Sequence, residues 1–481
     1  MIEAAGCDAV LVVNHQTSVD AMAARVRASG HRNVLLVSSH LVFPHERAAL
    51  ENALAPAAIN VTSLADWFTD AELAACDEAT TESLRENPVR WTFFADQFEQ
   101  QAGYRKNAAA LAALRRAGLP AAARLYAADG LGICAAPWQE AGAARLPPQP
   151  TWRQALRRTK PGQACAYLRA LSHGLPRRIS LLRDGDTTYL FAGSLRRLAL
   201  APGIVAEEIP LTAALRECDG DCYLAVGLHE HHPSLRRTAL PLRIFVDSFL
   251  PSNYPRTYFD AYAGAQFVCA EPISARWLRA WGGQLAPLPG FLSDGSFAPA
   301  LPPAMTRTIV FLLGHAGDWT SLINRSDNDT LVAAALELAN SEPDLNIILR
   351  LHPSMEDPRH EGAGAAERLE EAVRTLGREN VEFSSASLSE DLSRGDLLVA
   401  EYSAALIEGW RRGRPGLAVN LTRRRSFLQD FADLGFAHET GREDFFASVK
   451  SFRNAPAEFA AKQSLAALRY NELLKAHRDA C

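Results

Sequence analysis

No stretch of this 481-residue chain approaches about eighteen uninterrupted apolar residues, so no part of it reads as a membrane-spanning helix. The amino terminus, MIEAAGCDAVLVV, has no basic segment ahead of its apolar run, which argues against a secretory signal. A basic excess is missing as well. The formal net charge of −5 argues against nucleic acid as the main partner, which calls for a strongly basic face. Cysteine is sparse and scattered: of the eight, only Cys218 and Cys222 lie close together, and a lone C-x3-C has no second pair to complete a zinc site. These are the features of a cytoplasmic protein whose thiols are reduced and mostly buried. There is no internal repeat and no low-complexity tract.

What is present is a globular composition, 48% hydrophobic and 22% charged, on a chain too long for one ordinary core. Short apolar runs alternate with helical segments from the start. Cys7–Asp20 reads as a buried strand, a polar loop and a helix running through Arg27; Asn33–His40 is a second strand, Pro44–Leu54 a helix and Ala57–Leu64 a third strand. Such alternation indicates a parallel α/β sheet. Asp66–Ala117 reads as mainly helical with a break at Trp91–Gln97, and two strand-like pieces lie within Ala121–Pro137. Arg177–Gly193 changes character: two alternating strands meet at Asp184-Gly185-Asp186, the signal of a hairpin insertion. A histidine cluster, His229, His231 and His232, follows the strand at Cys222; it lacks the cysteine or carboxylate at helical spacing that a metal site would add, and reads as a loop near a ligand cleft. Leu285–Arg307 is rich in proline and glycine and reads as a linker.

Three strand ends carry the candidate chemistry. Ile244–Val246 delivers Asp247 and Ser248. Ile347–Leu349 stops at Arg350 and then presents His352-Pro353. Leu397–Val399 stops at Glu401-Tyr402-Ser403 and opens a helix whose first turn holds Ser403, Ala404 and Ala405. Ligands of doubly wound α/β sheets sit at the carboxyl ends of strands. A helix amino end adds free N–H groups and partial positive charge, which suit a phosphate. A fourth strand, Thr308–Leu313, runs into Gly314-His315.

The ordered set of Asp247, His352-Pro353 and the element EYSAALIEGWRRGRP (Glu401–Pro415) resembles the capsule-type Kdo transferases, which are GT-B glycosyltransferases. Bacterial sialyltransferases that use CMP-sugars have comparable His-Pro and Ser-Ser motifs. The likeness covers roughly Leu242–Leu421 and leaves Met1–Leu240 outside it. It implies an α/β GT-B fold: two Rossmann-like domains facing across a cleft, with a β-hairpin insertion in the first. The expected divisions are an acceptor-side domain over 1–290, a linker over 291–307, a nucleotide-sugar domain over 308–455 and a helix over 456–481 that could cross back. One position departs from the resemblance, since Ala404 stands where a second serine hydroxyl is usual.

The resemblance also implies roles. Asp247 would be the nucleophile of a retaining transfer and His352 would help the CMP phosphate leave, so these are the catalytic candidates. Arg350, His352, Pro353, Glu401, Tyr402, Ser403, Ala404 and Glu408 would line the nucleotide, with Glu408 accepting from ribose hydroxyls. Ser248, Gly314, His315, His229 and His231 are candidates for a donor or acceptor loop. Each has a plainer reading beside it: a loop aspartate, a core histidine before a proline turn, a helix N-cap serine. No cofactor and no metal is expected, since a CMP leaving group carries one phosphate. The expected partners are a CMP-linked sugar and an oligosaccharide or lipid-linked glycan acceptor, with no nucleic acid. Arg423-Arg424-Arg425 reads as a solvated run or as a contact to an anionic lipid surface at the inner face of the membrane. The nearest rival is a CDP-glycerol or other CDP-polyol phosphotransferase of teichoic-acid-like polymer synthesis, whose Asp-Tyr-Ser-Ser turn Glu401-Tyr402-Ser403 resembles. Asp247-Ser248 stands where that family carries His-Gly. A non-catalytic GT-B-like binding subunit is the third alternative.

Overall fold

The computed structural model describes residues 6–13, 19–38, 43–55, 57–63, 75–76, 79, 94–128, 136–146, 178–184, 187–191, 203–210, 213, 223–226, 242–246, 266–280, 283–290, 295–314, 325–356, 365–401, 403–421 and 428–480. Three sheets organise them. The first is parallel throughout and has five strands, β1 (Ala9–Val13), β2 (Asn33–Ser38), β3 (Ala58–Ser63), β4 (Arg124–Ala128) and β5 (Ala144–Leu146), in the order β3-β2-β1-β4-β5. The second is mixed and has seven strands: β6 (Arg178–Asp184), β7 (Thr187–Phe191), β8 (Val205–Pro210), β9 (Tyr223–Val226), β10 (Leu242–Phe245), β11 (Gln266–Val268) and β12 (Gln284–Leu285). Their order is β12-β11-β10-β9-β7-β6-β8. The third is again parallel: β13 (Thr308–Leu312), β14 (Asn346–Arg350), β15 (Val381–Phe383), β16 (Leu397–Ala400), β17 (Gly416–Asn420) and β18 (His438–Thr440), in the order β15-β14-β13-β16-β17-β18.

Both parallel sheets step outward from their first strand, reverse, and step outward on the other side. That is the doubly wound Rossmann-like order, and its ligand crevice lies beside the first strand where the direction of winding reverses. The α/β class expected from the alternating pattern is the class observed, and two of its sheets have the Rossmann-like order that the resemblance implied. The expected hairpin is present: β6 pairs antiparallel with β7 from Ser180–Phe191 to Asp184–Thr187. Residues 1–290 carry the first and second sheets. Helix Phe94–Arg116 begins inside the stretch expected to interrupt helix, and helix Ala136–Glu140 begins at the end of the second expected strand piece.

By packing, the chain divides into two compact units. One holds Met1–Thr80, Glu99–Pro150 and Ala298–Ala467; the other holds Thr81–Phe98, Thr151–Phe297 and Leu468–Cys481. The first unit thus contains both parallel sheets.

The third sheet is covered on both faces, which is why its strands read as nearly unbroken apolar runs rather than alternating ones. Ile309, Val310, Phe311, Ile347, Ile348, Leu349, Leu397, Leu398 and Val399 are fully buried. The core cluster that holds Ile309, Phe311, Ile347, Leu349, Leu397 and Val399 also takes in Phe43, the residue that precedes helix Pro44–Leu54. Helix Ala404–Arg411 lies close on β16, because a Cβ added at Gly409 would stand 2.2 Å from Leu398 Cδ1. After that helix the chain turns at Gly413 in the left-handed region, φ 68°. The stretch expected as a linker docks against this turn: Ala298 N donates to Arg411 O at 3.1 Å and Leu301 N to Gly413 O at 2.9 Å. Among the described residues no helix is long and apolar enough to cross a membrane.

Candidate functional site

The site is built on the carboxyl ends of three adjacent strands, β14, β13 and β16. Registers pair Leu312 with Arg350 across β13–β14, and Phe311 with Val399 across β13–β16. Leu313 N still bonds Arg350 O at 3.0 Å beyond the strand ends. Carried forward, the register sets Gly314 level with His352 and Leu313 level with Glu401. These are the strand ends flanking the point where the winding reverses.

Each end is fixed locally. After β14 the short helix Pro353–Glu356 starts at once, with Met355 N donating to His352 O at 2.8 Å, so His352 sits half-buried at a helix entrance. Pro353 is exposed at the first helical position, where its missing N–H costs nothing. After β16, Glu401 is buried, and Ser403 is buried in extended backbone (φ −147°, ψ 124°) as the N-cap of helix Ala404–Arg411. Ser403 Oγ accepts from Ala405 N at 3.4 Å, a long bond that leaves the first-turn N–H groups open to a stronger acceptor. Ala404 is exposed at the first helical position. At the β13 end Gly314 is clamped on both sides, its N–H donating to Asn328 Oδ1 at 2.8 Å and its carbonyl accepting from Asn328 Nδ2 at 3.0 Å.

Two expected nucleotide ligands are occupied by the protein itself. Arg350 Nη1 donates to Asp391 Oδ2 at 2.6 Å and to Ala386 O at 2.8 Å, and Ser384 Oγ donates to the same Asp391 oxygen at 2.5 Å. Asp391 is fully buried, so this is an internal ion pair joining β14, the turn after β15 and helix Leu388–Arg394. Glu408 meets Arg412 at 3.2 Å and Arg411 at 3.6 Å on its own helix. A ribose role for Glu408 would have to be shared with these arginines.

Asp247, Ser248, His229, His231, His315, Tyr402 and the Arg423–Arg425 run lie outside the described residues. The last described residue before Asp247 is Val246, whose N–H bonds Val268 O at 2.9 Å just beyond β10. Among the described residues no group of three or more His, Cys, Asp or Glu side chains is gathered as a metal cage.

The structure adds residues that sequence reading missed. Asn328 and Asp391 are two; the S-x-x-E sequence Ser387–Glu390, a capping box realised at 2.8 and 3.3 Å, marked the helix that carries Asp391. Arg368, on helix Ala365–Leu376, is a third. It forks to Asp329 and, at 3.2 Å, to both Glu46 oxygens, and lies 5.2 Å from the Phe43 ring centroid. Burial works against its charge, but Asp329 and Glu46 outweigh this and hold the guanidinium above its ordinary pKa.

No protein-family profile matches this sequence, and no curated protein matches it. Solved structures are similar over nearly the whole chain at low identity. A glycosyltransferase from Rickettsia africae is 9% identical with a TM-score of 0.33, covering 98% of this chain and 96% of that one. A UDP-GlcNAc 2-epimerase from Neisseria meningitidis bound to UDP-GlcNAc is 11% identical with a TM-score of 0.26, covering 98% of each. TarM from S. aureus, in complex with fondaparinux, α-GlcNAc-glycerol and UDP, is 8% identical with a TM-score of 0.37, covering 98% and 99%. At such scores these likenesses decide nothing about this chain's activity.

Proposed function

We propose that the chain is a nucleotide-sugar-dependent glycosyltransferase of the GT-B kind, with CMP-Kdo or a CMP-linked relative as donor and a surface glycan or its lipid-linked precursor as acceptor. One observation supports it most: His352, Gly314, Glu401 and the Ser403 helix start stand on neighbouring strand ends at the reversal point of a Rossmann-ordered sheet. That is where such sheets take nucleotides. The helix start supplies N–H groups and partial positive charge for one phosphate, and His352 supplies a further donor. Arg350, already neutralised by Asp391, is left to shape the strand end.

In this reading the bond from the donor's anomeric carbon to the CMP phosphate oxygen breaks, and the phosphate leaves with its charge met by His352 and the helix start. Asp247, which follows β10 in the sequence, takes the anomeric carbon and forms a sugar ester. An acceptor hydroxyl then attacks that carbon, giving its proton to solvent as the Asp247 carboxylate is released, and the configuration is retained. No metal enters this reading.

Calorimetric titration with CMP, CDP, UDP and GDP tests it. CMP is expected to bind most tightly, and His352→Ala to weaken it by about 1.5–3 kcal/mol, the worth of a charge-assisted hydrogen bond. Preference for UDP or GDP would overturn the donor assignment; unchanged CMP affinity in His352→Ala would remove His352 from the site. Added mass on Asp247 after incubation with CMP-Kdo, absent in Asp247→Asn, is the expected sign of the retaining route.

A further inference from the structure

Helix Arg325–Ser341 begins directly behind the β13 end, and its two buried polar residues Asn328 and Asp329 point to different tasks. Asn328 holds the Gly314 peptide by both its N–H and its carbonyl. Asp329, one residue on, is nearly inaccessible and is gripped by Arg368, which also pairs with Glu46. Glu46 belongs to the first parallel sheet: it opens helix Pro44–Leu54 and also accepts from Phe43 N at 2.9 Å, so it caps its own helix while binding Arg368. Phe43 in turn lies under the Arg368 guanidinium and is counted within the core of the third sheet. Residues 322 positions apart are thereby joined by one fork of charge.

A charge buried this far holds its place only while both carboxylates hold it, since an uncompensated ion in the interior is costly. Arginine suits the position because its planar fork reaches two carboxylates at once, which a lysine point charge does not. The network is also adjacent to the candidate site rather than remote from it: Arg368 to Asp329, Asp329 to its neighbour Asn328, Asn328 to Gly314.

We propose that Arg368 is a positioning residue, welding the Phe43–Glu46 turn of the first sheet to the amino end of helix Arg325–Ser341 so that Asn328 keeps the Gly314 end of β13 in place. Two consequences follow. The two parallel sheets behave as one body, and the Phe43–Glu46 start of helix Pro44–Leu54 becomes a fixed support of the crevice on the third. The functional half of this inference rests on the nucleotide reading above; the structural half does not.

Hydrogen exchange and nucleotide titration on the full chain separate the two halves. In Arg368→Met, which keeps length and removes the charge, the Gly314 amide and the amides of Phe43 and Arg47 are expected to lose protection together, while those of β16 keep theirs. CMP binding is expected to weaken about tenfold, the scale on which residues coupling to a site act. Arg368→Lys, which keeps the charge and loses the fork, is expected to fall between wild type and Arg368→Met, and it serves alone if the methionine variant does not fold. If Gly314 keeps full protection in these variants, Arg368 is a local ion pair and the proposal fails. If wild type does not bind CMP, the nucleotide reading fails and the exchange result alone decides the positioning role.

Discussion

Gly413 offers a clean test of how the chain closes behind the candidate site, because a second glycine supplies the control. Gly413 and Gly377 have nearly the same backbone, φ 68° and 64°. A Cβ at Gly377 would meet nothing within 4 Å, whereas one at Gly413 would stand 2.3 Å from the carbonyl oxygen of Pro299. Pro299 cannot step aside cheaply, since Ala298 N and Leu301 N on either side of it are bonded to Arg411 O and Gly413 O. Gly377→Ala therefore carries only the left-handed strain, about 1–2 kcal/mol. Gly413→Ala carries the same strain plus the cost of overpacking, about 1–3 kcal/mol more. Thermal melts should rank wild type above Gly377→Ala and Gly377→Ala above Gly413→Ala. The gap between the two variants should be a few degrees, since each kcal/mol is worth roughly 1–2 °C in a compact unit as large as the one that holds both glycines. Equal midpoints for the two variants would refute the docking of the 298–301 strap on the turn.

Asp391→Ala should cost about 3–5 kcal/mol in urea unfolding by stranding the Arg350 charge, while the double change Arg350→Met with Asp391→Leu should recover most of it; equal losses would show that the pair is not the cause. His477 is buried, with Nε2 2.8 Å from Cys269 O and Nδ1 3.4 Å from Arg279; burial lowers its pKa, Arg279 and Arg478 add to the lowering, and the Cys269 carbonyl opposes it. The unfolded chain then takes up the proton more readily than the folded one, so the stability held by the neutral ring is complete above the ordinary histidine value of 6.5 and is lost as pH falls below it. His477→Gln should flatten the melting temperature between pH 7 and pH 5 relative to wild type, and an unchanged slope would assign the acid sensitivity elsewhere.

The strands of the third sheet were legible because both of their faces are buried, and continuous apolar runs such as Ile347–Leu349 and Leu397–Val399 mark such strands whatever covers them. Helix Pro44–Leu54 was legible to the residue, opened by a proline at its first position. The separation of β6–β12 into a sheet of its own was not, because local periodicity reports that a strand is buried and not which strand lies beside it. The same reason hid the partners of the site. Arg350 at a strand end reads as a phosphate ligand until Asp391, 41 positions later, is seen to hold it. Glu46 reads as a first-turn helix acid until Arg368 arrives from the far end of the sequence. Gly413 carried part of a family resemblance, yet both it and Gly409 have a packing cause.

Helix Ala404–Arg411 is held at the end away from Ser403. Trp410, fully buried, packs against Phe431 and Phe436 at 5.1 and 4.3 Å and donates to Gly416 O, while Gln463 clamps Gly416 N and Arg414 O. A ligand arriving at the Ser403 end therefore meets a floor whose ordering was completed when the chain folded. Little conformational entropy remains to be lost there on association, which favours affinity without new contacts. If the site takes a nucleotide as proposed, the calorimetric mark of such a floor is a small heat-capacity change on binding, in proportion to ligand surface covered and without the large negative excess of a segment that folds around its guest.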